Sequence, residues 1–168
     1  MNLLEIPPEQ PVIIDANIFI YANQRASSQC VKLLERCSSN EVYGILPSHI
    51  LAEVIHVLML AEAKDLGLVK GANPARQLSE NPRKIKALNR YESLIRDLLA
   101  IGLHLEPLQR EDFLTAMNLQ REHGLLTNDA LFLAVALRLR ITSVVSADSA
   151  FKNIQGIILY SPDDIVIE

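Results

Sequence analysis

The chain has 168 residues, of which 49% are hydrophobic and 21% charged, and its formal net charge is −4. This length fits one domain, and the composition excludes a largely disordered protein and predicts a globular fold with a substantial core. The negative charge is not typical of a nucleic-acid-binding domain, although bound divalent cations would reverse the local field where a phosphate approaches. We expect a single domain over residues 1–168, with its core at about residues 11–162.

Neither a membrane span nor a signal peptide is predicted. No apolar run reaches the roughly 18–20 residues that cross a bilayer, and the first eight residues lack the basic and apolar regions of a signal peptide. The only cysteines, Cys30 and Cys37, lie two turns apart in a predicted helix, which is too far for a disulfide. We therefore expect a cytoplasmic protein with reduced thiols and no membrane contact.

Short apolar runs alternate with helical patterns along the chain, which predicts an α/β fold with a parallel sheet covered by helices. The predicted strands are Val12–Asp15, Val42–Leu46, Leu103–Glu106, Thr142–Ser146 and Gly156–Tyr160. The predicted helices are Ile18–Cys37 with a break near Arg25, Ser48–Leu66 with Ser48 as its N-cap, Pro82–Ile101, Arg110–His123 and Asn128–Arg140. Residues 67–82, which are rich in Gly, Asn and Pro, are expected to form a long surface loop.

Four acidic residues stand beside apolar runs, where an unpaired carboxylate is costly. Asp15 and Asp148 follow predicted strands, Glu53 lies in the second turn of a helix, and Asp129 begins another helix. The carboxyl ends of parallel strands meet at one edge of a sheet, and this edge is where open α/β sheets bind ligands. All four side chains are therefore predicted to converge.

Clustered carboxylates repel one another unless a cation is present. Oxygen ligands without a cysteine or a required histidine suit Mg²⁺ or Mn²⁺ better than Zn²⁺. Such ions complete their coordination with phosphate oxygens and activate water, so hydrolysis of a phosphodiester is the natural reaction for this cluster.

The acidic motifs resemble those of the PIN-domain ribonucleases, particularly the VapC-like toxins of prokaryotic toxin–antitoxin pairs. The resemblance covers about residues 11–162. It rests on four motifs in order: Asp15-Ala16-Asn17, Glu53 on the helix that follows the second predicted strand, Thr127-Asn128-Asp129-Ala130, and Ser146-Ala147-Asp148-Ser149-Ala150-Phe151. It implies one PIN-like domain with a five-stranded parallel sheet in the order 3-2-1-4-5. It also implies a metal-dependent endoribonuclease that leaves 5′-phosphate and 3′-hydroxyl ends.

Carried over to this chain, the resemblance assigns catalysis and Mg²⁺ or Mn²⁺ binding to Asp15, Glu53, Asp129 and Asp148. It assigns supporting roles to Asn17, Asn128 and Ser146. The implied partners are an RNA substrate, a second copy of the chain and an antitoxin protein. The chain is longer than many toxins of this family, chiefly in its first ten residues and in residues 67–82, which weakens the toxin role more than the fold.

Arg83, Lys86 and Arg90 recur at helical spacing, with Lys84 beside them, and are predicted to contact RNA phosphates. An ordinary solvated helix face is the competing interpretation, because acidic residues are mixed in nearby.

Two other functions remain open from the sequence. An aspartate-nucleophile phosphatase would use Asp15 to attack phosphorus, but that mechanism pairs the nucleophile with a second Asp two residues later, where this chain has Asn17. A catalytically silent PIN-like module that binds RNA or protein is the third hypothesis.

Overall fold

The apolar runs form a five-stranded parallel sheet in the computed structural model, which describes residues 1–166. The strands are β1 (Pro11–Ile14), β2 (Tyr43–Pro47), β3 (His104–Glu106), β4 (Ser143–Val145) and β5 (Ile158–Tyr160). Their order is β3-β2-β1-β4-β5, with every neighbouring pair parallel. The predicted topology is confirmed. Residues 167 and 168, which the predicted domain includes, lie outside the described residues.

Helices connect the strands. They are α1 (Ala16–Asn23), α2 (Ser28–Ser38), α3 (Ser48–Asp65), α4 (Pro74–Ser79), α5 (Pro82–Lys86), α6 (Arg90–Ala100), α7 (Arg110–His123) and α8 (Thr127–Arg138), with short 3₁₀ helices at Leu3–Glu5 and Ser149–Phe151. The predicted break between α1 and α2 is confirmed, and Arg25 there has a φ of 55°. Within the described residues, no helix is long and apolar enough to cross a membrane.

The centre of the core is α8. Every residue from Ala130 to Ala136 is buried, which matches a helix that is apolar on all sides. Cys30 and Cys37 are also buried, and both are free thiols as predicted. Gly44 in β2 permits this packing, because a Cβ atom there would clash with Leu103 and press on the sulfur of Cys37.

The sequence predicted a long surface loop over residues 67–82, and this prediction is wrong. They contain α4, and Val69 and Leu78 pack with Ala63 of α3 and Leu88 in a second, smaller hydrophobic cluster. Gln77 closes the turn before α4 by donating to the carbonyls of Lys70 and Ala72, at 2.7 and 2.9 Å. The segment is therefore a folded appendage to the end of α3.

The helix predicted over Pro82–Ile101 is also wrong, because it is split into α5 and α6. Glu62 of α3 explains why a second helix begins at Arg90. Its buried carboxylate accepts hydrogen bonds from the backbone amides of Asn89, Arg90 and Tyr91 at 3.0, 3.0 and 2.8 Å. These amides would otherwise lack partners at a helix N-terminus, and the hydrogen bonds keep the pKa of Glu62 low despite its burial.

Ser48 is not the N-cap of α3, as was predicted. Pro47 occupies the capping position, and Ser48 is the first helical residue. The Ser48 hydroxyl instead accepts a hydrogen bond from the amide of Leu108 at 3.3 Å, which ties the start of α3 to the segment after β3.

The packed region extends beyond the predicted core at residues 11–162. Leu3 and Ile6 are almost fully buried in the main core. The carboxylate of Asp164 accepts hydrogen bonds from the hydroxyl of Ser28 at 2.7 Å and from the backbone amide of Gln29 at 3.1 Å. Asp164 therefore helps to cap the start of α2. Both end segments therefore contribute to the fold.

Replacing Glu62 with Ala should remove the cap of α6 and leave its first amides without acceptors. We expect the free energy of unfolding to fall by about 3 kcal/mol, because the hydrogen bonds involve a charged acceptor in a buried position. Urea unfolding followed by circular dichroism measures the change. Asp65→Asn is the matched control, because this nearby acid forms only an exposed ion pair with Arg90 and should cost less than about 1 kcal/mol. Equal effects of the two substitutions would contradict the capping role of Glu62.

Candidate functional site

Asp15 lies between the end of β1 and the start of α1, where it acts as the N-cap of α1. Its Oδ1 accepts from the amide of Ala16 at 2.7 Å. Its Oδ2 accepts from the Asn17 side-chain amide at 2.7 Å and from the Ser146 hydroxyl at 2.6 Å. Burial raises the pKa of Asp15 and outweighs these hydrogen bonds, which lower it, and Glu53 adds to the rise. The carboxylate is thus fixed in place but costly to ionise.

Asn17 and Ser146 form a polar seam between the ends of β1 and β4. Asn17 donates to the Ser146 hydroxyl at 3.2 Å and accepts from the amide of Ala147 at 3.0 Å. The Ser146 hydroxyl in turn accepts from the amide of Asp148 at 3.0 Å. Two of the three residues predicted as supporting groups, Asn17 and Ser146, therefore join Asp15 to the loop that carries Asp148.

Glu53 lies in the second turn of α3 and is half-buried. Its Oε2 accepts a hydrogen bond from the Asn128 side chain at 2.9 Å. Asn128 is in the first turn of α8, one residue before Asp129. The predicted supporting residue Asn128 thus links the helices that carry Glu53 and Asp129.

Asp129 reports on the whole cluster. The pKa of Asp129 is raised to about 6, chiefly by burial and then by the charges of Asp15, Asp148 and Glu53, in that order. These contributions outweigh the favourable position of Asp129 at a helix N-terminus. All four predicted acids therefore lie near enough to interact electrostatically.

Asp148 is exposed and caps the 3₁₀ helix Ser149–Phe151, where its Oδ1 accepts from the amide of Ala150 at 2.8 Å. Among residues 1–166, no three His, Cys, Asp or Glu side chains are arranged closely enough to hold a metal ion. Asp15, Glu53 and Asp148 each accept a hydrogen bond from a neighbouring group.

The donor set nevertheless fits a divalent cation. Carboxylate oxygens, including those of a half-buried Asp129 with a raised pKa, are hard anionic ligands of the kind that Mg²⁺ and Mn²⁺ bind. A cation among them would offset the mutual repulsion that raises this pKa.

The three basic residues predicted to contact RNA do not form one helical stripe. Arg83 and Lys86 lie on α5, whereas Arg90 begins α6 and pairs with Asp65 at 2.5 Å. The break between the helices separates them. Arg83 and Lys86 are exposed, and among the described residues neither has a carboxylate within ion-pair distance.

One cluster was missed by the sequence analysis. Arg138, at the end of α8, donates to Asp112 of α7 at 2.8 Å and to Glu106 of β3 at 2.7 Å. Asp112 is 1% exposed and also accepts from the amide of Gln109, in the capping box of α7. The cluster fixes the end of α8 opposite Asp129. No local pattern marks it, because its members come from three separate elements.

Comparisons with known proteins agree with this fold. The sequence profile described as PIN domain matches residues 12–157. No curated protein matches the chain. Among solved structures, a chain of VapBC2 from Rickettsia felis bound to a DNA fragment from its promoter is 19% identical, with a TM-score of 0.56, and the match covers 92% of this chain and 100% of that one.

A chain of a toxin–antitoxin complex from Klebsiella pneumoniae is 16% identical, with a TM-score of 0.54, over 88% of this chain and 95% of that one. At these identities the structures show similarity of fold. The profile match spans most of the chain, including all four acidic positions. The chain therefore belongs to the PIN domain family.

Proposed function

We propose that this protein is a metal-dependent endoribonuclease that hydrolyses RNA phosphodiester bonds and serves as the toxin of a toxin–antitoxin pair. The hydrogen bonds that fix two of the acids at one edge of the sheet carry this proposal: Ser146 and Asn17 hold Asp15, and Asn128 of α8 holds Glu53 of α3. Four carboxylates at the carboxyl edge of a parallel sheet are well placed to bind cations and, through them, phosphate. Membership of the PIN domain family supports the nuclease assignment.

Each side chain has a separate task in this proposal. Asp15 and Asp129 are the inner ligands, since one is buried and the other half-buried. Asn17 and Ser146 orient Asp15, and Asn128 orients Glu53. Asp148, which is exposed, completes the set from the substrate side. Bound Mg²⁺ or Mn²⁺ supplies an activated water and neutralises charge on the phosphate.

The phosphatase hypothesis is less favoured. Both oxygens of Asp15 accept hydrogen bonds, Oδ2 from two side chains, so the carboxylate is oriented as a fixed ligand more than as a free nucleophile. Position 17 is Asn, which holds Asp15 and cannot act as a general acid. A silent RNA-binding or protein-binding module is the remaining alternative, and only measurement of turnover separates it from the nuclease.

The proposed partners are an antitoxin protein and a second copy of the chain, in the cytoplasm. The similarity of fold to chains of two toxin–antitoxin complexes supports the proposed antitoxin partner. For the homodimer we propose the outer face of α7, where Phe113, Leu114 and Met117 are 48%, 52% and 48% exposed and lie within one turn. An apolar cluster of this kind is typical of an interface.

The purified protein should cleave labelled RNA only with Mg²⁺ or Mn²⁺, lose activity in EDTA, and leave 5′-phosphate ends. Asp15→Asn or Asp129→Asn keeps the size but removes an anionic ligand, so the cleavage rate should fall by roughly 100-fold to 1,000-fold or more. Asp97→Asn, at an exposed acid on α6, is the matched control and should leave the rate unchanged.

The same assay separates the alternatives. A phosphate trapped on Asp15 would replace the nuclease by the phosphatase hypothesis. RNA binding without cleavage of any pool, with or without Mn²⁺, would favour the silent module.

Asp129→Asn should also make the metal-free protein more stable at pH 7. The folded pKa of Asp129, about 6, lies above its ordinary value of 3.8. The protonated form is thus favoured by folding, and its stabilising effect is lost as pH rises through 6. We expect a gain of about 1 kcal/mol at pH 7, allowing for solvent screening, and none below about pH 4.

Thermal melting in EDTA across this pH range measures the effect, with Asp97→Asn as the control. Millimolar Mg²⁺ or Mn²⁺ should raise the melting temperature of the wild type and leave Asp129→Asn little changed. If neither the metal nor the substitution alters melting, the shared cation site is wrong.

Phe113→Glu combined with Met117→Glu should convert the proposed homodimer to a monomer. Two charges placed opposite their copies across a symmetric interface would be desolvated and would repel one another. Sedimentation velocity at micromolar concentration measures the result. Leu99→Glu is the matched control, because Leu99 on α6 has the same 48% exposure but should remain dimeric. A monomeric wild type would contradict the homodimer, and a dimer unaffected by the double substitution would contradict this interface.

A further inference from the structure

Charge is strongly segregated along the chain. Residues 64–90 contain seven Lys and Arg but only two Asp and Glu, a net charge of +5. The other 141 residues carry nine cations and eighteen anions, a net charge of −9, and the two together give the overall −4. The end of α3 with its appendage is therefore a basic region on an otherwise acidic protein.

Most of these cations are free to meet a ligand. Within residues 1–166, Arg76 and Arg90 are paired with Glu80 and Asp65. The other five have no carboxylate within ion-pair distance, and we call them the basic surface: Lys64, Lys70, Arg83, Lys84 and Lys86. Four of them are exposed, and Lys84 is half-buried.

Backbone contacts bring these residues together. Lys64 and Lys70 line one groove of about 530 Å³, between the outer face of α3 and the turn that follows it. Lys84 donates to the carbonyl of Leu68, in the same turn, at 2.6 Å. That contact holds α5, which carries Arg83 and Lys86, to the turn that contributes Gly67 and Val69 to the groove.

The groove lies on the same face of α3 as Glu53. Lys64 follows Glu53 by eleven residues. In an α-helix this spacing is three full turns plus about 20°, so the two side chains project in nearly the same direction, about 17 Å apart along the axis. Between them on this face stand Val57, Leu60 and Ala61, which form the groove floor. None of the residues lining the groove is acidic. The residues between Glu53 and Lys64 on this face of α3 are therefore uncharged.

We propose that the basic surface binds the phosphate backbone of the RNA substrate at a distance from the cleavage point, a proposal that rests on the ribonuclease activity proposed above. A polyanion is the ligand that matches five cations without a carboxylate partner at a groove that has no acidic lining residue. The acids bind the scissile phosphate through cations, and the basic surface binds the same strand after it has crossed the face of α3. At the phosphate spacing of a stacked strand, about 17 Å corresponds to about 5 nucleotides.

The substrate must therefore extend well beyond the cleavage point on one side. A short oligonucleotide that fills only the acid site would be cut without help from the basic surface. A longer RNA would gain affinity from it, in a manner that weakens with added salt.

The test compares the wild type with the triple variant Lys64→Gln, Lys70→Gln, Lys86→Gln. These lysines are exposed and make no side-chain hydrogen bond or ion pair to another described residue, so the fold should be retained. Binding of a long RNA is measured at several salt concentrations with both proteins carrying Asp15→Asn, which prevents cleavage. The slope of log affinity against log salt should become shallower by about 2, because three phosphate contacts are lost.

In the active background, kcat/KM for long RNA should fall roughly tenfold to a hundredfold near 0.1 M salt, with little change for a short oligonucleotide. The control variant Arg25→Gln, Lys32→Gln, Arg140→Gln removes the same charge elsewhere and should behave as the wild type. Equal losses on short and long RNA, an unchanged salt slope, or equal losses in the control would overturn the proposal. A changed sedimentation coefficient in the triple variant would assign the surface to contact between copies instead. If the wild type cleaves no RNA but the slope still falls by about 2, the ribonuclease fails and the RNA-binding surface stands.

Discussion

The parallel pairing of β1 with β4 is the constraint on which the candidate site depends. Ile13 and Ile14 pair with Val144 and Val145, which are about 130 residues later in the chain. The pairing brings Asp15 and Ser146 side by side at the carboxyl ends of the two strands, with a hydrogen bond of 2.6 Å between them. Since a shift of register by one residue would turn every side chain to the opposite face, the buried isoleucines and valines also fix the position of the acid.

The two ends of the buried helix α8 differ in their electrostatic interactions, which are unfavourable at its start and favourable at its end. At its start, burial and then the charges of three other carboxylates raise the pKa of Asp129 to about 6, so ionising this acid in the metal-free protein is unfavourable. At its end, Arg138 binds Asp112 and Glu106, and these hydrogen bonds lower the pKa of both acids. Breaking such a buried network by removing one partner is strongly destabilising. The network therefore holds Asp129 near its repelling neighbours, and a cation at the site would relieve the strain that the fold maintains.

Much of the fold could be predicted because its signals are local. The strands are short apolar runs, and α7 has the bounds predicted for it, Arg110–His123. The four acids were predicted as a cluster because each interrupts, follows or precedes an apolar run. Their interaction was predicted from topology alone, since carboxyl ends of neighbouring parallel strands converge.

The features that were predicted wrongly or missed have a common physical cause. In each case the contact that determines the local structure is made with a residue far away in the sequence. Nothing in Ala87-Leu88-Asn89 breaks a helix locally, and the break exists because Glu62 caps the helix that starts at Arg90. Residues 67–82 have the composition of a loop, yet Leu78 is buried against α3. Arg138 could be placed at a helix end, but its partners on α7 and β3 could not be identified without the tertiary structure.

The net charge also says little about ligands, because it does not show where the charges lie in the fold. A value of −4 is the sum of a basic segment and an acidic remainder, and only the fold shows that Lys64 and the groove lie on the same face of α3 as Glu53. The helix also suits this arrangement electrostatically, because the negative end of its dipole favours a cation such as Lys64 in the last turn. Because cations bound by the acids would offset the repulsion of phosphate at one end, and lysines attract it at the other, an anionic strand would meet a favourable field along the whole helix.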